Sequence, residues 1–466
     1  MPNLQYLDCT GNKLLTSLNV SGATNLTEMW ASNNKLSSIN IDGLTSLKKL
    51  YCQGNQFTTL AVNNLTTLEI LSCGSNLLTS LNVSSLGNMK SLSCDYNKLQ
   101  RLDVTNLSKL TTLNCSYNAL WELKVNGLVN LKELNCQENV IPSLNIVGLN
   151  SLETLWCNVN GLSMLDVKGL NKLIDLRCNY NKLASLDLTG LTTISTLECF
   201  HNQLKTLDIS DLVNVKSLRC DQNQLTSLFI RNGSNEGNNL NFSQNPDLLY
   251  ICADESQLEQ VKSLATNYGY SNCNVNSYCS FKPVGSYYTI KGINNFDGNN
   301  DGCDALDSSL PNLKFNLSDG TNTGSVIADI NGNYSIYLAA GTHSITPVIE
   351  NPAYFSISPT TLNVSFPTQT SPLTQDFCIT PIGTHEDLEI TLIPLEVARP
   401  GFNTKYKLIY KNKGNTTQSG AVSLTYSDSV LDLVMANPVV STQAMNNLSW
   451  NFTNLKPFES KEITFT

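Results

Sequence analysis

One interval constrains this chain more than any other feature. Cys52, Cys73, Cys94, Cys115, Cys136, Cys157, Cys178, Cys199 and Cys220 follow one another in steps of 21 residues. Cys9 lies 43 residues before Cys52, which is 21 plus 22, and Ala31 fills the missing place. Three residues after each of these positions stands an asparagine, in the series Asn12, Asn34, Asn55, Asn76, Asn97, Asn118, Asn139, Asn160, Asn181, Asn202 and Asn223. The shared frame is L-x-x-L-x-C-x-x-N-x-L-x-x-L-x-V-x-x-L, with Met89 to Leu99 as a typical stretch. A fixed period over eleven copies predicts a solenoid, because one such repeat cannot bury its own leucines and must stack on its neighbours.

Residue types fit that geometry. In Leu92-Ser93-Cys94 the side chains alternate, so Leu92 and Cys94 point inward and Ser93 outward. Stacked copies form a parallel sheet with about 4.8 Å per strand, so eleven strands span roughly 50 Å. The inward asparagine must hydrogen-bond, since a buried unpaired amide costs about 1–3 kcal/mol. It is expected to bind backbone in the turn after each strand, forming an asparagine ladder. So short a repeat leaves little length for a helix, and extended or 3₁₀ turns are expected on the return path. The ladder cysteines read as small, soft core residues. In-register strands hold Cβ atoms about 4.8 Å apart, too far for a disulfide at about 3.8 Å. A linear stack of thiols also does not converge on a metal.

The frame resembles the leucine-rich repeat over residues 1–250. A cysteine ladder at this period is similar to that of an internalin, one of a family of Gram-positive surface adhesins. That resemblance implies a surface-exposed binding solenoid and carries no ligand with it. Charged residues are only 14% of the 466, with a net charge of -9, which argues against nucleic-acid or anionic-membrane binding. No apolar run approaches the roughly 18 residues of a membrane-spanning helix.

Residues flanking the inward Leu and Cys face solvent on the concave sheet. Their central column runs Asp8, Trp30, Tyr51, Ser72, Ser93, Asn114, Asn135, Trp156, Arg177, Glu198 and Arg219. Two clusters of candidate contact residues stand out. Tyr6, Trp30 and Tyr51 form one near the start; Trp156, Arg177, Phe200 and Arg219 form the other near the end. Exposed aromatics beside polar groups are a common recognition device for protein or glycan. Arg177 is placed to stack on Trp156 from the adjacent strand. The polar stretch from Ser72 to Asn135 reads as plain sheet surface, and Trp121 as packing on the convex side.

The period fails after Gln224, and Phe242 fills one more degenerate strand. Residues 251–284 read as a cap with an amphipathic helix from Ser256 to Asn267, whose inner face carries Leu258, Val261, Leu264 and Ala265. A Cys252–Cys273 bridge is expected to pin it. Residues 285–381 show short alternating strands separated by turns, which reads as a β-sandwich and resembles the Cna-B or SdrD-B modules of bacterial surface proteins. Its loop places Asp297, Asn299 and Asp301 at the 1, 3, 5 spacing of calcium sites, with Gly302 at the turn and Asp304 and Asp307 beyond. Position 12 is Ser308 rather than Glu, so the EF-hand pattern is incomplete, but hard oxygen ligands suit Ca²⁺. Cys303 and Cys378 are expected to clamp this module. Residues 383–466 resemble the DUF11-like immunoglobulin-fold repeats of Bacteroidota surface proteins, truncated here, with Trp450 in the core. The chain begins inside a repeat at Pro2-Asn3-Leu4 and ends in a strand pattern, and reads as a fragment without signal peptide or sorting domain.

The expected fold class is therefore mainly β: a leucine-rich-repeat solenoid with a parallel sheet, followed by two β-sandwich, Ig-like modules. His201, His343 and His385 are scattered, and no G-x-S-x-G, H-E-x-x-H, Walker A or G-x-G-x-x-G motif occurs, so an enzyme is not expected. The leading reading is a monomeric secreted or cell-surface protein that binds a host or neighbouring-cell protein or glycan on its concave face, the β-modules serving as a stalk. A structural spacer and the targeting arm of a polysaccharide-degrading enzyme are the alternatives.

Overall fold

The computed structural model describes residues 3–279, 287–399 and 401–466. The expected boundary at 284/285, Pro2 in the opening repeat and Pro400 in the last module lie outside these residues. The chain divides into two compact units, Met1–Cys279 and Ser280–Thr466.

The first unit is a solenoid whose parallel sheet holds twelve strands, from Tyr6–Asp8 to Leu240–Asn241. Register is set one repeat apart, as in Leu155 opposite Leu176 and Trp156 opposite Arg177. Alternation decides what is buried. Leu92 and Cys94 are fully enclosed on either side of half-buried Ser93. Ala31 is enclosed in the missing cysteine's place. Phe242 occupies the slot after Cys220, since Leu240 pairs with Leu218 and Asn241 with Arg219. The nine cysteines from Cys52 to Cys220 are free and buried, while Cys9 in the first repeat is half-buried. Loss of water contact pushes the Cys52, Cys136 and Cys178 thiols up to about 12.

Each ladder asparagine closes the turn after its strand. The Asn181 amide donates to the carbonyls of Cys157 and Cys178 at 3.0 and 3.1 Å. Its Oδ1 accepts the Leu162 N–H at 3.0 Å. Asn245 repeats the pattern, accepting from Leu225 N–H and donating to Phe242 O, and so extends the ladder beyond Asn223. The residue just before each asparagine is held in the left-handed region. Tyr96, Tyr117, Val159 and His201 have φ of 50°, 52°, 53° and 53°.

Return paths are mostly turns, joined at places by a second set of short strands. Arg101–Asp103 pairs with Glu122–Lys124. Thr206–Asp208, Ser227–Phe229, Tyr250–Cys252 and Asn274–Asn276 form a parallel four-stranded sheet. In the cap, a 3₁₀ turn at Glu255–Gln257 leads into the helix Leu258–Asn267. Leu258, Val261 and Ala265 are buried, and Leu264 is half-buried. Tyr270 ties the cap to the last repeat, donating to Phe242 O and accepting from Asn245 N–H.

The cap disulfide differs from expectation: Cys252 pairs with Cys279, and Cys273 is free. Strand register explains this. Cys252 sits opposite Asn276, at the far end of the strand Asn274–Asn276, so the chain leaving that strand returns Cys279 to it. Cys273 precedes the strand at its other end.

The second unit is built mostly of antiparallel strand pairs. Tyr288–Phe296 pairs antiparallel with Asn333–Leu338 and parallel with Phe377–Pro381. A facing set joins Lys314–Ser318 to Thr323–Ile327 and Gly341–Val348. Cys303 and Cys378 form a disulfide, as the sequence led one to expect. Farther along, Tyr406–Asn412 lies between Leu388–Pro394 and Ser460–Phe465, and Gln418–Thr425 pairs with Asn447–Leu455. Trp450 is in the core there, its indole donating to Pro438 O at 3.0 Å. Asn415 fastens this part to the preceding one, its amide donating to the carbonyls of Tyr354 and Ile382 at 3.0 Å each. Tyr354 and His385 stack at 4.1 Å across the same joint.

Candidate binding face

Strand register assembles the concave face directly. Trp156, Arg177, Glu198 and Arg219 stand side by side on successive strands, about 4.8 Å apart. One column over are Thr154, Asp175, Thr196 and Ser217. Asp175 organises this end. Its carboxylate accepts the Trp156 indole N–H at 3.0 Å and the Arg177 Nε–H at 3.1 Å. The Arg177 guanidinium lies 4.7 Å from the Trp156 ring centre. Hydrogen bonding to Asp175 raises the Arg177 pKa above its ordinary value. Arg219 is held likewise, 4.0 Å over the Phe200 ring and 3.4 Å from Asp221 Oδ2.

Phe200 itself corrects an expectation. It is only 8% exposed, so it supports Arg219 from below instead of offering a ring to solvent. Tyr180 packs edge-on to it at 5.3 Å, covering another side.

At the other end, Trp30 and Tyr51 stack at 4.1 Å. Tyr6 is exposed and its hydroxyl donates to Asp8. The Trp30 indole N–H is enclosed and meets no acceptor from the chain. The Lys49 ammonium bonds Glu28 at 2.9 Å beside this stack.

A further row was not singled out from the sequence. The left-handed residues at the edge of the face include Tyr96 and Tyr117, stacked at 4.2 Å and 7°. They also include Tyr180 and His201, stacked at 4.4 Å. The available signal was position: each stands immediately before a ladder asparagine. Trp121 lies off the concave sheet, 42% exposed, with the Arg101 guanidinium packed 4.0 Å over its ring.

In the acidic loop, one carboxylate oxygen each from Asp297, Asp301 and Asp307 lies within 4.8 Å of the others. Asp297 is 2% exposed and accepts the backbone N–H groups of Asp301 and Gly302 at 3.2 and 3.1 Å. Asn299 bonds Asp301, its amide donating at 2.8 Å. Asp304 does not join the convergent set; its Oδ1 accepts the Leu306 N–H at 2.7 Å and braces the turn. Three converging carboxylates are hard oxygen donors of the kind that divalent calcium takes.

No family model matches the chain, and no curated protein matches it. Among solved structures it is similar to the functional domain of InlJ from Listeria monocytogenes, which includes a cysteine ladder. The identity is 25%, over 81% of this chain and 85% of that one, with a TM-score of 0.46. It is also similar to a leucine-rich-repeat protein of Leptospira interrogans, at 22% identity over 59% of this chain and 90% of that one, TM-score 0.45. A third is the leucine-rich effector YopM of Yersinia pestis, at 20% identity over 54% and 77%, TM-score 0.39.

Proposed function

We propose that this chain is an exported, surface-exposed binding protein that recognises a macromolecular partner on the concave face of its solenoid, and is not an enzyme. The carrying observation is the Asp175 carboxylate that fixes Trp156 and Arg177 in one geometry before any partner arrives. Pre-ordered aromatic and Arg side chains are the usual anchors of binding energy, because little rotamer freedom remains to be lost. The Cys252–Cys279 and Cys303–Cys378 disulfides support an oxidising compartment. No helix among the described residues is long and apolar enough to cross a membrane.

In this reading the second unit is a stalk of Cna-B/SdrD-B-like and DUF11-like modules, of the kind found on Bacteroidota surface proteins. Asp297, Asp301 and Asp307, with Asn299, hold Ca²⁺ in its loop. Replacing Trp156 and Arg177 together with alanine and measuring surface adhesion tests the binding face; a pure spacer would adhere as before. Melting the full chain with and without a calcium chelator tests the loop. The calcium reading expects a lower midpoint for the second unit with chelator, and an unmoved midpoint removes it.

A further inference from the structure

The second unit contains two sets of sheets, one within residues 288–381 and one within residues 388–465, and among the described residues no sheet spans both. Between them the chain runs from Ile382 to Asp387. A short link between two packed parts is ordinarily a hinge, because few contacts cross it. This link has its backbone taken up instead. The Ile382 N–H donates to Tyr354 O at 2.8 Å. The Asn415 amide donates to the carbonyls of Ile382 and Gly383 at 3.0 and 3.2 Å, and also to Tyr354 O in the earlier part. Asn415 Oδ1 accepts the His385 N–H at 2.7 Å, and the Asn415 N–H donates to His385 O at 3.0 Å. Asp387 O accepts from Lys413 and Gly414 N–H. A Cβ at Gly414 would strike the His385 carbonyl, so this approach requires glycine. Asn415 itself is only 6% exposed.

Other contacts cross between the parts directly. Phe458 lies 4.6 Å from the Phe355 ring and 5.6 Å from the Phe296 ring. The Glu350 carboxylate bonds the Lys411 and Lys413 ammonium groups at 2.8 Å each. One enclosed residue positions both turns of the later part that reach across. The Asn412 amide donates to Thr416 O and Leu455 O, its Oδ1 accepts the Gly414 N–H, and its carbonyl accepts the Phe458 N–H. Glu350 is about half exposed, and such ion pairs contribute little. The coupling therefore resides in the enclosed asparagines and the aromatic contact.

We propose that this joint is a locked hinge: through Asn412, Asn415 and Phe458, the two parts of the second unit open and close as one cooperative body. Opening the earlier part strips Asn415 of the Tyr354 carbonyl and Phe458 of its ring partners. Opening the later part frees the backbone of the link. Two parts joined this way share one opening transition when the contacts across the joint outweigh the difference between their own stabilities. The proposal concerns the unit itself and stands whether or not the unit serves as a stalk.

Native-state hydrogen exchange of the full chain in a urea series, read by mass spectrometry, tests this. The slowest amides of Gly341–Val348 report on the earlier part and those of Tyr406–Asn412 on the later one. In the wild type both are expected to follow one urea dependence. Asn415→Ala is expected to part the two curves by at least about 0.5 M urea. A second variant, with two glycines inserted after Gly383, lengthens the link and leaves Asn415 in place; it is expected to part them too, and it decides the matter if Asn415→Ala does not fold. Separate curves in the wild type overturn the proposal. So do curves that stay merged in the variants, including a joint shift to lower urea, which is what a merely stabilising residue would give.

Discussion

The Asp175 carboxylate accepts the indole N–H of Trp156 across one strand step, at 3.0 Å. A tryptophan on an exposed sheet face is thereby held by its polar edge, with its broad face beneath the Arg177 guanidinium. Neither ring nor guanidinium is free to search rotamers, which is the condition for an anchor whose ordering cost is already met by the fold.

Asp175→Ala is expected to release both groups at once. Stability changes little, by about 0.2–1 kcal/mol, because the pair is partly solvated. Adhesion weakens by roughly tenfold, or about 1.4 kcal/mol. Trp156 emission shifts to the red as its indole meets water, and an unchanged spectrum would contradict the contact.

The asparagine ladder is a stability element. Asn181→Ala removes donors to Cys157 O and Cys178 O and the acceptor for Leu162 N–H. The two carbonyls still accept from the Asn160 and Asn202 amides, so the Leu162 N–H is the group left unpaired, and a loss of about 1–3 kcal/mol is expected in urea unfolding. A loss below about 0.5 kcal/mol, the range of neutral surface changes, would show that the turn does not depend on the side chain.

Val159 carries a β-branched side chain at φ of 53°. The left-handed conformation costs an ordinary residue about 1–2 kcal/mol and glycine almost nothing. Val159→Gly is therefore expected to stabilise the solenoid by about 0.5–1 kcal/mol, net of the extra entropy of glycine in the unfolded chain. Destabilisation in thermal or urea unfolding would mean that the valine side chain contributes packing here.

The cysteine ladder makes the solenoid sensitive to alkali. Burial lifts the Cys52, Cys136 and Cys178 thiols from 9.0 to about 12, and the other buried ladder thiols also rise. Above pH 9 the unfolded chain loses these protons while the folded chain keeps them. Stability is thus fully present below pH 9 and falls as pH rises toward 12. Each thiol contributes up to about 1.4 kcal/mol per pH unit. Urea midpoints between pH 8 and 11 should drop steeply, and less steeply in a Cys136→Val/Cys157→Val variant. Equal slopes would remove the ladder as the cause.

The solenoid was legible because its period is rigid. The Leu-x-Cys alternation set both faces, and the strand register followed from the 21-residue step. What escaped had a physical reason in each case. Asn245 lies 22 residues after Asn223, behind a degenerate strand, so the period passed over it. The Cys252–Cys279 bridge depended on which end of a cap strand faced Cys252, and spacing among three nearby cysteines does not encode that. Phe200 lies in a solvent-facing column, yet Tyr180 and Arg219 close over it from neighbouring repeats. The edge row of Tyr96, Tyr117, Tyr180 and His201 escaped because the left-handed site is defined by backbone shape and accepts varied residue types.

The central claim is that the Trp156–Arg177 end of the concave face binds a partner. Beads coated with the full chain, or with its Trp156→Ala/Arg177→Ala variant, can be compared for adhesion to a glycoprotein-bearing cell layer, after matched melting curves show that both are folded. The account predicts at least tenfold weaker adhesion for the variant. Adhesion equal to that of the wild type would contradict it.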